Sequence, residues 1–261
     1  NVVIDGCVSN VGLTIGAVAS GKSITISNTV ISSSVGEAIL FSQALTSVTI
    51  TITSTTLSTA AVGAIRFFDT LTTVALSATQ LLTKNTGGSV YAVRFAAVSG
   101  GSVAFDKCTL LGGYDNIFFT AGIANLALTV SNHRSEGFNC AIRVAVGASA
   151  STIMVTGISI REHKQGVAIY TDTTGAVNTP ITVQDSTIDA VDTAIAINNV
   201  ADNSPLVLSN NRITCSGTLS VTCLRLDDLL NTAVSVTDTT VTAHRTGGVG
   251  SNAMVFRGTV T

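Results

Sequence analysis

Several common signatures are missing from this chain, and each absence removes a class of protein. The formal net charge is −2 with only 11% of residues charged, so there is no basic footprint of the kind nucleic acid requires. No apolar run reaches the roughly 18 residues of a membrane helix, which argues against membrane insertion in this segment. None of the five cysteines sits in a Cys-x-x-Cys pair, which argues against a zinc site; no metal or other cofactor is expected. No stretch carries 3.6-residue periodicity and no regular LxxLxL frame occurs, which excludes helical and leucine-rich repeats. The chain opens in strand-like sequence, Val2-Val3-Ile4, rather than in a leader. We therefore read its start as a processed end or a cut from a longer chain.

What is present is a repeat. Thr, Ser, Val, Ala and Gly are abundant and favour strands and tight corners. One rule, apolar at i, i+2 and i+7, recurs at Ile24/Ile26/Ile31, Ile50/Ile52/Leu57, Val74/Leu76/Leu81 and Val103/Phe105/Leu110. It returns at Ile153/Val155/Ile160, Ile181/Val183/Ile188, Leu206/Leu208/Ile213 and Val234/Val236/Val241, with Ser135 at the third place after Leu128/Val130. A second run, small–apolar–variable–apolar, follows in each unit: Ala38–Phe41, Ala64–Phe67, Ala92–Phe95, Asn116–Phe119, Ala141–Val144, Ala168–Thr171, Ala194–Ile197 and Cys223–Leu226. The starts fall 24 to 29 residues apart.

A period in the twenties with alternation inside each unit predicts a stacked solenoid. The expected fold is all-β: a right-handed parallel β-helix of about ten coils, three short strands per coil, covering residues 1–261 as a single domain. At ~4.8 Å per rung the rod would be roughly 45–50 Å long. Equivalent inward residues should stack, with Phe41, Phe67, Phe95 and Phe119 as one aromatic ladder. Neither end carries a polar cap, so the rod reads as a segment of a longer one.

This coil rule resembles that of the pectin-lyase-like β-helix superfamily across nearly the whole chain. The phrases VVIDGCVSN, VAFDKCTLLGG and VSVTDTTVT resemble the surface repeat proteins of the kinetoplastid dispersed gene family. That resemblance implies an extracellular or cell-surface protein. Gly112–Phe119 is similar to the Gly-x-x-Asp-Phe-Ile-Phe-Gly motif of pectin methylesterases, which implies Asp115 in the place of a catalytic aspartate. The Arg-Pro-Trp element of that family is absent, because there is no tryptophan. Of the polygalacturonase motifs only Asp-Asp occurs, at Asp227-Asp228.

Three surfaces are candidates for function. The first is the outward side of the second run, where the third positions include Arg66, Arg94, Phe118, Arg143, Tyr170 and Arg225. Beside them the first positions, mostly Ala, would form an exposed shelf. Arginine and aromatic residues are enriched in contact surfaces, and arginine also binds acidic glycans. The alternative is a solvated face whose arginines pair with Asp69, Asp172 or Asp227. The second is a charged corner with Glu136, Arg161 and Asp189 at one position of consecutive coils and Glu162, His163 and Lys164 adjacent. Carboxylates two rungs apart would be roughly 10 Å apart, near the separation used in inverting sugar hydrolysis; the alternative is a ladder of salt bridges. The third is the hydroxyl-rich outer face of the first strand (Ser23, Thr25, Thr49, Thr51, Thr152), an array that would suit ice.

Cys215 and Cys223 flank a short insertion and either form a disulfide or pack as free thiols. No Asn-x-Ser/Thr site occurs, which would keep glycans off packing surfaces. The expected function is a non-enzymatic spacer, adhesin or assembly module. Its partners would be neighbouring β-helix segments, other proteins or acidic glycans. The alternatives are a polysaccharide-active enzyme and an ice-binding protein.

Overall fold

A computed structural model describes residues 2–7, 11–33, 35–60, 62–86, 91–163, 167–171, 176–198, 203–217, 221–245 and 251–260. These residues contain strands and turns and no helix. All strand pairs are parallel and fall into three sheets, each ascending in chain order. The first sheet begins with Ser23–Ser27 and Thr49–Thr53, the second with Val2–Cys7 and Thr29–Ser33, and the third with Leu13–Ile15 and Ile39–Phe41. The chain is thus a parallel β-solenoid with three strands per coil. It makes about eight turns rather than ten. The first-sheet starts from Ile24 to Val234 are eight steps apart, with Val2–Cys7 and Leu13–Ile15 before them and Thr240–Arg245 and Ser251–Val260 after them adding to the second and third sheets.

Register follows the repeat with one correction. Ile50 and Ile52 pair with Leu76 and Ala78, and Leu57 with Thr83. The third coil is therefore framed on Leu76/Ala78/Thr83, two residues beyond Val74/Leu76/Leu81. Alanine and threonine hold inward places there, both essentially buried, so a rule looking for large apolar residues slid to the neighbours. Ser135 occupies the same inward column, between Leu110 and Ile160. With the frame corrected, the starts are 25 to 28 residues apart.

The core is filled by residues that alternate inward along every strand. Phe41, Phe67, Phe95 and Phe119 stack with centroids 4.4, 4.9 and 4.6 Å apart and ring planes within 12°. Val144, Thr171, Ile197 and Leu226 continue that column. The rung spacing of a parallel sheet is also a good offset-stacking distance. Identical residues in register therefore give ring contacts at no geometric cost.

Corners repeat as strictly as strands. Between the first and second sheets one residue per coil has a left-handed backbone: Asn28, Ser54, Gln80, Lys107, Asn132, Gly157, Asp185, Asn210 and Asp238, with φ from 47° to 61°. A second such column, including Ser47, Thr73, Asn125 and Asn178, lies within the first sheet, where its strands bend or break. Few L-residues adopt this conformation readily, and Asn and Asp are the best tolerated. Side chains link neighbouring corners. Asn132 Nδ2 and Ser131 Oγ donate to Asp106 Oδ1 at 2.9 and 2.7 Å, and Asn210 Nδ2 donates to Asp185 Oδ1 at 2.7 Å. These donors hold the Asp106 carboxyl below its ordinary value of 3.8.

Candidate functional site

The outward side of the third sheet is built by its register. Leu40, Arg66, Arg94, Phe118, Arg143, Tyr170, Ala196, Arg225 and Val255 are successive partners on adjacent strands. The Tyr170 side chain lies outside the described residues.

Arg66 and Arg143 are each held by a carboxylate and an aromatic ring, Arg94 by a ring and Arg225 by a carboxylate. Arg66 Nη1 donates to Glu37 Oε1 at 3.1 Å, and the guanidinium lies 4.7 Å from the Phe68 ring centroid. Tyr91 Oη donates to the same Glu37 oxygen at 3.4 Å, with Arg94 over the Tyr91 ring at 5.3 Å. Burial pushes the Tyr91 phenol above its usual value, so it remains a proton donor to the carboxylate. Arg143 Nη1 donates to Asp115 Oδ2 at 3.4 Å and lies 5.1 Å from the Phe118 centroid. Arg225 Nε donates to Asp227 Oδ2 at 2.6 Å.

Two expectations change here. Arg66 and Arg143 pair with Glu37 and Asp115, carboxylates on neighbouring coils, and only Arg225 pairs with the expected Asp227. Asp69 instead accepts from the Thr70 amide at 2.7 Å, and Asp172 lies outside the described residues. The alanine shelf is not exposed: Ala38, Ala64, Ala92, Asn116, Ala141, Ala194 and Cys223 are all fully buried. The chain turns into the third sheet at that position, so the side chain points into the corner beside the second sheet. Asn116 shows the direction, donating to Leu110 O, Ser135 Oγ and Glu136 O at 3.2, 2.6 and 3.1 Å.

The carboxylates considered for catalysis are dispersed. Asp115 is 3% exposed on the third sheet, where it accepts from Asn139 Nδ2 at 2.8 Å and the Cys140 amide at 3.2 Å as well as from Arg143. Glu136 stands on the second sheet in an ion pair with Arg134, with Nε to Oε1 at 2.9 Å. Arg161 is its neighbour in the next coil. The expected Glu136–Arg161–Asp189 column then breaks. Ile160 pairs with Ile188 but His163 pairs with Ala190, so Arg161 and Glu162 together face Asp189. A bulge of this kind re-aims side chains and ends a regular column. The Glu162 and His163 side chains, and Lys164, lie outside the described residues. No group of three His, Cys, Asp or Glu suited to a metal occurs among the described residues.

The hydroxyl-rich face of the first sheet is in register, Thr25 with Thr51 and Ser77. The same face carries Asp106 beside Ser131, and Met154 and Val207 within its central column. Cys215 and Cys223 form a disulfide with Cα atoms 5.5 Å apart, joining the second sheet to the third inside the core. Cys108 is a buried free thiol, and Cys140 is buried as well. Burial pushes Cys108 to about 11.

Glu37, Tyr91 and Gly63 were not singled out from sequence. Gly63 lies between Glu37 and Tyr91 in the column, and the Tyr91 ring covers it. A Cβ there would stand 2.2 Å from ring carbons of Tyr91. The available signal was a glycine aligned one coil below a tyrosine, readable only once the register is known.

Among the described residues no helix is long and apolar enough to cross a membrane. Fold and surface together define the chain as a parallel β-solenoid protein with an arginine–aromatic outward column. Comparison with protein-family models, curated proteins and solved structures finds no match.

Proposed function

We propose that this chain is a non-catalytic rod of an extracellular or cell-surface protein, serving as a spacer that displays the third sheet as a contact surface. The observation that carries the reading is the run of in-register positions from Leu40 to Arg143, ahead of the buried Ala196, pinned at Glu37 and Asp115 by side chains buried in the stack. A column fixed this way loses little side-chain freedom on contact. The guanidinium–carboxylate pairs also explain why these carboxylates suit structure better than proton transfer. The Cys215–Cys223 disulfide supports an oxidising compartment. Kinship with pectin-lyase-like β-helices belongs to this proposal and rests on the coil geometry alone.

The test is a turnover screen. The purified chain is incubated with acidic and neutral polysaccharides while new reducing ends, unsaturated products and released methanol are followed. No turnover is expected. Turnover that disappears in Asp115→Asn or Glu136→Gln would overturn the spacer reading. Thiol titration of unreduced, urea-unfolded protein should leave Cys215 and Cys223 unreactive; two extra reactive thiols would remove the support for an oxidising compartment.

A further inference from the structure

The edge where the third sheet turns into the first carries both a protruding ring and a hollow. Phe68 stands one residue past the strand Ile65–Phe67. At 57% it is the most exposed of the large apolar side chains among the described residues. The Arg66 guanidinium, 4.7 Å from the ring centroid, covers one face and leaves the rest to solvent. Farther along the same edge, an open hollow of about 340 Å³ is lined by Gly122, Ala124, Val146, Gly147, Ser149 and Val177. It forms where the first sheet starts. Ile123 pairs with Ala148, and Ala148 with Ala176, on three successive coils. These three point inward and are buried, so their neighbours Ala124, Ser149 and Val177 point outward. Gly122 and Gly147 add no side chain to the floor, while Val146 and Val177, 43% and 38% exposed, flank it. A cavity of about 150 Å³ accepts benzene, so a phenyl ring has room here.

We propose that this hollow receives Phe68 of a second copy of the chain, and that the two copies pair about a two-fold axis. The proposal goes beyond the spacer reading and does not depend on it. Phe68 does not reach the hollow of its own chain. The column from Phe67 through Phe95 and Phe119 to Val144 sets the two three rungs apart, roughly 14 Å. A second copy running in the opposite sense removes that separation. A two-fold axis crossing the edge midway, beside Ala97 and Ala121, brings the ring of each copy to the hollow of the other. One arrangement then makes both contacts, as isologous pairing requires. The edge between ring and hollow also admits close approach. Ala96-Ala97, Thr120-Ala121-Gly122 and Ala145-Val146-Gly147 hold no charged residue and no side chain larger than valine. Neither like-charge repulsion nor bulk keeps the copies apart there. A small apolar solute would use the hollow and leave the exposure of Phe68 unexplained. The contact covers about five rungs, roughly 20–25 Å of edge, at the low end of specific interfaces. The dimer should therefore be reversible, with Kd of roughly 10–100 μM.

Sedimentation velocity of the purified chain from about 1 μM to about 0.5 mM tests this. A monomer–dimer equilibrium is expected. Phe68→Ala and Val177→Glu each remove both symmetric contacts and should weaken the dimer about hundredfold. Val30→Glu, at a 41% exposed position on the second sheet, should leave it unchanged. A mixture of the first two variants separates the proposal from a general loss of apolar surface. Phe68→Ala keeps the hollow and Val177→Glu keeps the ring, so the mixed pair retains one of the two contacts. It should associate more tightly than either variant alone. All three replaced side chains are exposed, and circular dichroism with urea unfolding checks that each variant keeps the stack. A monomer across the whole range overturns the proposal. So does a dimer that survives both edge variants, a dimer that Val30→Glu weakens equally, or a mixture no tighter than its parts. These failures leave the spacer reading standing, since only polysaccharide turnover contradicts that.

Discussion

The phenylalanine stack offers a comparison in which one variable changes. Phe67 has a stacked ring on each side, at 4.4 and 4.9 Å, whereas Phe119 has one, at 4.6 Å, with Val144 as its other neighbour. Both are essentially buried, at 1% and 0% exposure, so the transfer term for replacing either by leucine is the same. Leucine fills most of the volume and loses the ring contacts. An aromatic pair contributes about 0.5–1.5 kcal/mol beyond its buried area. Phe67→Leu should therefore cost about 1–3 kcal/mol from stacking and Phe119→Leu about half of that, on top of a shared repacking cost. Urea unfolding followed by circular dichroism gives both values, provided the slope with denaturant is unchanged. Equal costs, or a larger cost at Phe119, would refute the view that rung spacing makes the rings cooperate.

Gly63→Ala should destabilise by about 1–3 kcal/mol, the usual range for overpacking, because its Cβ would meet the Tyr91 ring at 2.2 Å and the Tyr91 carbonyl at 2.6 Å. Gly16→Ala, with nothing within 4 Å of the added Cβ, should be near neutral in the same urea assay. Arg143→Ala leaves the buried Asp115 carboxylate short of its guanidinium and should cost several kcal/mol, toward the ~3–5 of a broken buried pair. Arg134→Ala, at an exposed pair, should cost less than about 1 kcal/mol. Asp106 has a folded-state pKa below 3.8, so its contribution is present above its unfolded value and lost as pH falls through the folded one. Asp106→Asn should thus narrow the stability difference between pH 6 and pH 2.5, read from urea midpoints at both; an unchanged difference would contradict the linkage.

Winding was legible because each coil repeats the same inward positions. Ile24, Ile50 and Ile153 announce a column wherever a large aliphatic side chain fills it. The reading slipped by two residues where Ala78 and Thr83 hold those places, since a small inward residue looks like an outward one in sequence. The outward arginines were legible for the same reason of period. Their partners were not: Glu37 precedes Arg66 by 29 residues, and the contact exists only because one coil brings them together. The shelf was misplaced because strict alternation was carried through a corner. At Ala64 and Asn116 the chain bends and these side chains turn into the corner. The corner columns at Asn28 and Asn132 pass unnoticed in sequence, since Ser, Gln, Lys and Gly take the same place in other coils.

In-register parallel coiling can be tested by oxidative cross-linking of outward positions on the first sheet. Thr51 and Ser77 are direct partners on adjacent strands, while Thr25 and Ser77 lie two rungs apart, roughly 10 Å and beyond disulfide reach. The Thr51→Cys/Ser77→Cys variant should oxidise readily to an intramolecular disulfide and Thr25→Cys/Ser77→Cys should not. Cross-linking of the second pair, or failure of the first, would contradict the winding on which every surface described above depends.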